Sequence, residues 1–154
     1  MAARVDISAV GSLHRHFEPA ARHYTDLLRP QTRVTVREVK EVPQRGRSEA
    51  EVLREEGRRL LAAWPRTPLV VALAIDGRSP DSEAFAAWLQ EGFERGGVGF
   101  VIGGSLGLST EVLGRVDERL SLSALTLPHQ LARVVLLEQL FRAGKILRGE
   151  TYHH

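Results

Sequence analysis

The 154-residue chain contains no cysteine. Disulfide bonds and thiolate metal sites are excluded, and the composition fits a reducing cytoplasm, which is the expected location. Long apolar runs are also missing. The longest, LVVALAI from Leu69 to Ile75, falls far short of the roughly 20 residues needed to cross a bilayer. The opening MAARVDISAVGS lacks the apolar core of a signal peptide, so no membrane is expected as a partner. Neither sign of charge dominates: 21 Lys and Arg against 19 Asp and Glu leave a net +2. That is too small to point to nucleic acid unaided, and clustering carries more information. Arg45, Arg47, Arg58, Arg59 and Arg66 form one group, and Arg133, Arg142, Lys145 and Arg148 another. Each is either a solvated face or a phosphate-binding patch. There are no internal repeats, low-complexity tracts or linkers. A single domain over residues 1–154 is expected, large enough to bury about two-thirds of its unfolded surface.

What is present is an alternation of two periods. RVDISAV (Arg4 to Val10) and TRVTVREVK (Thr32 to Lys40) alternate as strands do. A helical segment from about Arg15 to Leu28 lies between them. Ser48 and Glu51 have capping-box spacing ahead of a helix whose Leu53, Leu60, Leu61 and Trp64 share a face. LVVALAI is apolar on both alternating sets, as befits a parallel strand covered on both faces. Ser79 and Pro80 suit the N-cap and first turn of the next helix, with its stripe of Phe85, Trp88, Leu89 and Phe93. VGFVIGG (Val98 to Gly104) reads as a further buried strand. Ser109 caps a helix carrying Val112, Leu113, Val116 and Leu120. SALTL (Ser123 to Leu127) reads as a last short strand, and Pro128 to about Gly144 as the final helix. This rhythm predicts an α/β fold: an open, mainly parallel sheet with helices on both faces.

Ligands of such sheets sit beyond the carboxyl ends of the strands. Three ends stand out: ALAIDG, IGGSLG and SALTLP. GGSLG (Gly103 to Gly107) lacks the spacing of a phosphate loop, which leaves an ordinary turn or a place of close backbone approach. SALTLP offers small hydrogen-bonding residues among leucines. It suits either a buried edge strand or the seat of a neutral aromatic ring such as adenine.

LSLSALTLPHQLARVVLLEQLFRA (Leu120 to Ala143), with VALAIDG, FVIGGSLGLS, an early AVG and the terminal TYHH, closely resembles the ribosomal RNA large subunit methyltransferase H family, small methyltransferases of the SPOUT class. The resemblance spans essentially the whole chain. It implies a C-terminal trefoil knot, a topology that ordinary chain-folding rules would not suggest. It also implies S-adenosylmethionine held bent in the knot loops, a homodimer, and methylation of N3 of a pseudouridine in 23S ribosomal RNA on the assembled ribosome. DNA is not an implied partner. Matched position by position, cofactor contacts fall on Leu73, Gly103 and Gly104, and on Ser123, Ala124, Leu125, Thr126, Leu127 and Pro128. A bulky side chain at Gly103 is expected to fill space the ligand needs. Three departures stand out. Ala74 replaces an aspartate common among relatives, Ser105-Leu106 replaces a frequent proline–acid pair, and His154 replaces a basic end.

Catalytic roles carried over by the resemblance fall on Arg142, Tyr152 and His153. Arg45, Arg47, Lys145, Arg148 and His154 are expected to meet RNA. His129 reads as a structural histidine in preference to a catalyst. His14, His16 and His23 lack carboxylate partners at ligand spacing, so no metal site is expected. VVLL in the final helix covers every side of a turn, which one buried face cannot absorb. Either the knot core or a second subunit must cover the remainder, and a homodimer is expected. The alternative to an enzyme is a knotted ribosome-binding or assembly protein without methyl-transfer activity.

Overall fold

The computed structural model describes residues 2–152. Ten elements follow in order: β1 (Ala3–Val10), α1 (Glu18–Leu28), β2 (Thr32–Val39), α2 (Glu49–Ala62), β3 (Leu69–Arg78), α3 (Ser82–Glu94), β4 (Val98–Ile102), α4 (Thr110–Arg115), β5 (Glu118–Leu120) and α5 (His129–Leu147). All strand pairs are parallel, in the order β2-β1-β4-β3-β5.

Alternation along the strands decides which layer each side chain joins. Leu69 and Val71 of β3, with Val98, Phe100 and Ile102 of β4, pack against α1, α3 and α5. Their neighbours Val70 and Val101 point the other way, into a smaller core with Leu60 of α2 and Val112 of α4. The helices therefore cover both faces, as the two-sided apolarity of LVVALAI predicts. Phe100 is fully buried at the centre. Phe100→Ala should cost about 3–5 kcal/mol through lost transfer energy and the residual cavity. Urea denaturation measures this, and a loss below about 1 kcal/mol would mean that the site collapses freely around the alanine.

Ser48 caps α2 as expected, its Oγ accepting from Glu51 N–H at 3.1 Å. Ser109 caps α4, accepting from Val112 N–H at 3.2 Å. Elsewhere the boundaries move, each for a visible reason. Helix α1 begins at Glu18, so His14 and His16 lie in the preceding turn with ring centroids 4.4 Å apart. Helix α3 is capped by Asp81 rather than Ser79; its Oδ1 accepts from Ala84 N–H at 2.8 Å. Ser79 and Pro80 are left in the connection because β3 runs on to Arg78, held by pairing with Leu120.

The stripe Val112, Leu113, Val116, Leu120 is not one helix. Asp117 N–H donates to Val70 O and Asp117 Oδ2 accepts from Val70 N–H, both at 2.8 Å. This reciprocal clamp pulls the chain onto the sheet edge, ends α4 at Arg115 and makes Glu118–Leu120 the fifth strand. Ser123–Leu127 is accordingly a loop and not a strand. Ser121 Oγ donates to Ser123 O, and Ser123 Oγ accepts from Leu125 N–H, both at 2.9 Å. Serine side chains satisfy the backbone there in place of a ladder.

Pro128 caps α5, whose first residue is His129. The helix passes through Gly144 and stops at Leu147. The true terminator is Gly149, at φ +68°. Gly149 N–H reaches Ile146 O at 3.0 Å and Glu150 N–H reaches Lys145 O at 2.9 Å, the paired bonds of a Schellman turn. That turn folds the end of the chain back along the helix. On α5, Val134, Leu136, Leu137, Leu140 and Ala143 are buried within the chain, whereas Leu131, Val135 and Phe141 are only half-buried. No helix among the described residues is long and apolar enough to cross a membrane.

Candidate functional site

Strands β4, β3 and β5 are adjacent and parallel, so their carboxyl ends open on one place. There they border a cavity of about 1010 Å³. Leu73, Gly103, Gly104, Ser123, Leu125, Thr126, Leu127 and Pro128 stand on its wall. Ala124 is exposed and does not. Ile75, Leu106, Leu108, Leu113, Leu122 and His129 also line it, and nothing in the sequence placed Leu108 or Leu113 at the site. Leucines with a few hydroxyls and loop backbone groups suit a flat, neutral heterocycle.

Two glycines shape the wall. Gly107 N–H donates to Gly104 O at 3.0 Å, closing a tight turn in which Gly107 has φ +87°. A Cβ on Gly103 would run into the backbone carbonyl of Gly107. A valine at Gly103 therefore obstructs its own loop first, not the ligand space alone as the sequence suggests. Gly104 lies over the buried carboxylate of Glu56, and a Cβ there would come within 3.2 Å of Glu56 Oε1. Burial pushes the Glu56 carboxyl above the usual range, although Val42 N–H donates to Oε2 at 2.9 Å. His129 Nε2 is buried on this side without a hydrogen-bond partner.

The first basic group reaches the rim. Gln44 Nε2 donates to Ser105 Oγ at 2.8 Å, which ties the loop of exposed Arg45 and Arg47 to the cavity mouth. The second group is less free than its sequence suggests. Lys145 Nζ and Arg148 Nε both contact the Glu150 carboxylate, at 2.7 and 3.1 Å, and these cations hold that carboxyl below its ordinary range. Part of their charge is offset within the chain before any phosphate arrives.

Arg142 and Tyr152 come together, but not at the cavity. Glu138 Oε1 accepts from Arg142 Nη2 and from Tyr152 Oη, each at 3.0 Å. The guanidinium lies 4.4 Å from the centroid of the Tyr152 ring, and Phe141 meets that ring edge-on at 5.3 Å. Burial, then the Glu138 carboxylate, push the phenol above its ordinary range. Ala132, one turn into α5, is the last residue of that helix on the cavity wall, 10 positions before Arg142 (142 minus 132). At 1.5 Å per residue that is about 15 Å of helix. Within one chain, the cavity and the Arg142–Tyr152 cluster are separate. His153 and His154 lie outside the described residues.

Comparison with known proteins places this geometry. Residues 3–153 match a family described as "Predicted SPOUT methyltransferase". The ribosomal RNA large subunit methyltransferase H of Rubrobacter xylanophilus is 49% identical over an alignment of 157 residues, covering 99% of each chain. That of Carboxydothermus hydrogenoformans is 42% identical over 156 residues, covering 97% of this chain and 98% of its own. Among solved structures, TrmJ from Z. mobilis ZM4 aligns over 100% of this chain and 73% of its own with a TM-score of 0.51 at 14% identity, a likeness of fold alone. The chain belongs to the SPOUT methyltransferase family, and within it to the ribosomal RNA large subunit methyltransferase H group.

Proposed function

We propose that this methyltransferase uses S-adenosylmethionine to methylate N3 of a pseudouridine in 23S ribosomal RNA, on the assembled ribosome, as a cytoplasmic homodimer. The observation that carries the reading is the cavity at three strand ends, walled by the Gly103–Gly107 turn and the Ser121–Pro128 loop, in a chain whose relatives bear that ribosomal RNA methyltransferase name. The donor set fits the cofactor: apolar faces for an adenine, loop backbone groups for its edge, and room for a bent chain. The trefoil knot is part of the same proposal.

Bound there, the cofactor supplies a methyl group already activated on a sulfonium. The protein's task is to align the nucleophile and exclude water. Leu73, Leu125 and Leu127 hold the adenine, while Gly103 and Gly104 keep the wall thin. The pseudouridine imide holds its N3 proton near neutral pH and must lose it. A nearby cation favours the anion, and an adjacent acceptor can take the proton. Arg142, Tyr152 and His153 supply those groups. Because Arg142 stands about 15 Å along α5 from the cavity wall, a second copy is the direct way to bring the two halves together. Two features support such a copy. Leu131, Val135 and Phe141 are only half-buried on α5, and Ile75 and Leu125 on the cavity wall are 80% and 77% exposed.

Calorimetric titration with S-adenosylmethionine tests the cofactor. Saturable binding is expected; a folded protein that binds none is instead a ribosome-binding protein without transfer activity. RNA contact is tested by salt. Each phosphate contact should contribute roughly 0.9 to the log–log salt slope on duplex RNA-like geometry. Replacing Arg45 and Arg47 together by alanine should therefore lower the slope for ribosome binding by about 2. An unchanged slope would make these arginines solvated surface.

A further inference from the structure

The carboxylate of Glu138 accepts three hydrogen bonds. Oε1 takes the two bonds from Arg142 and Tyr152, and Oε2 accepts from Gln139 Nε2 at 2.8 Å. The Glu138 and Arg142 side chains are only 18% and 19% exposed. A pair four residues apart on a helix surface has no need of a third donor from ten residues further on. The tail reaches Glu138 only because the Schellman turn at Gly149 sends the chain back.

The chemistry of the pair fixes a polarity. An ionised carboxylate only accepts hydrogen bonds, so the Tyr152 phenol proton points at Glu138. The free lone pairs of Oη then point away. A phenol held in this way accepts a bond from an imide N–H and cannot donate to a base carbonyl. The ring is confined as well, with the Arg142 guanidinium on its face and Phe141 at its edge.

We propose that Glu138 is a positioning residue of the active site: it locks Arg142 to Tyr152 and turns the Tyr152 hydroxyl so that its lone pairs, not its proton, meet the N3–H of the substrate base. This rests on the reading that Arg142 and Tyr152 act on the substrate. The polarity is also a specificity device. A uracil-type base presents a donor at N3, whereas cytosine presents an acceptor there and finds no proton to accept. Among the described residues, no other group accepts its proton. Tyr24 of α1 acts on it only at a distance, and Lys145 stands over Phe141, 5.5 Å from that ring centroid.

The chain has two tyrosines, so Tyr24→Phe leaves Tyr152 as the sole reporter. In that background, phenolate absorbance follows Tyr152 directly. Glu138→Gln removes a negative neighbour while keeping the side chain's shape, and Tyr152 should then ionise at lower pH than in the parent. Cofactor affinity should not change. On ribosomes kcat should fall by roughly 10² or more, at constant KM, as for loss of an oriented acid–base contact. Tyr152→Phe should show a comparable loss, and the double variant should be no worse than either single one, because the two residues act as a unit. Parent-level kcat in Glu138→Gln, an unmoved tyrosine titration, or additive losses in the double variant would each overturn the proposal. Parent-level kcat in Tyr152→Phe would instead remove Tyr152 from the active site, a failure of the underlying reading that the titration distinguishes.

Discussion

A protein ending at Thr151 should bind S-adenosylmethionine as tightly as the full chain and transfer no measurable methyl group. The cavity is walled by residues 73–76, 102–108, 113, 120–123, 125–129 and 132, with no contribution from the tail among the described residues, so its affinity should survive the truncation. What is lost is Tyr152, His153 and His154. Tyr152 is the partner that Glu138 and Arg142 hold, and in the proposed mechanism His153 accepts the proton. Oriented acid–base groups contribute roughly 10²–10⁴ in rate each, so losing both takes the reaction below ordinary detection. The fold should hold, because Tyr152 packs at the surface end of α5 against Phe141 and Arg142 and not in either core. Single-turnover methylation of ribosomes, run beside a cofactor titration, measures both halves. Full methylation by the truncated protein would make the tail an inert end; loss of cofactor binding would place it in the wrong site.

The second large effect is expected at Gly103. Even Gly103→Ala puts a carbon against the Gly107 carbonyl, and the atoms it meets are backbone. The turn between Gly104 and Gly107 must open or shift, and the wall shifts with it. Cofactor affinity should fall at least about tenfold, equivalent to about 1.4 kcal/mol, and Gly103→Val should fall further. Gly114 is the control. It sits on exposed α4 with nothing within 4 Å of a built Cβ and no positive φ. Gly114→Ala should leave affinity unchanged and stabilise the helix by up to about 1 kcal/mol. Wild-type affinity in a folded Gly103→Ala protein would mean that the cofactor does not use this wall.

Local chemistry was legible in the sequence wherever one residue decides the outcome. Ser48 and Ser109 cap because each serine lies three residues before an orphan N–H. LVVALAI announces a strand covered twice. The glycine turn and the serine-rich loop are legible as candidates at strand ends, but each has an ordinary structural reading beside it, and only the resemblance to the methyltransferase H family singles out their residues. The failures share a cause: a distant partner outbids a local preference. Leu120 continues the spacing of Val112 and Val116, yet the Val70–Asp117 clamp, 47 residues apart, takes it into the sheet. Ser79 is a good cap, but β3 extends through its approach, and Asp81 inherits the role. Gly144 looks like a helix stop, yet five residues later Gly149 has the left-handed backbone that makes one. Glu138 left one trace, its place four residues before Arg142. The bond to Tyr152 depends on the Gly149 turn and could not be read from spacing. The same turn brings Glu150 back onto Lys145 and Arg148, a pairing that spacing does not show.

The central claim is methyl transfer from S-adenosylmethionine to N3 of a pseudouridine in large-subunit ribosomal RNA. Its most direct test uses ribosomes from a strain lacking this protein, incubated with the purified protein and methyl-labelled S-adenosylmethionine, followed by nucleoside mass spectrometry of the 23S RNA. The account predicts label in one methylated pseudouridine, with the methyl on N3, and none in the same reaction with the protein ending at Thr151. No incorporation by a protein that binds the cofactor, or label in a different nucleoside, would contradict it.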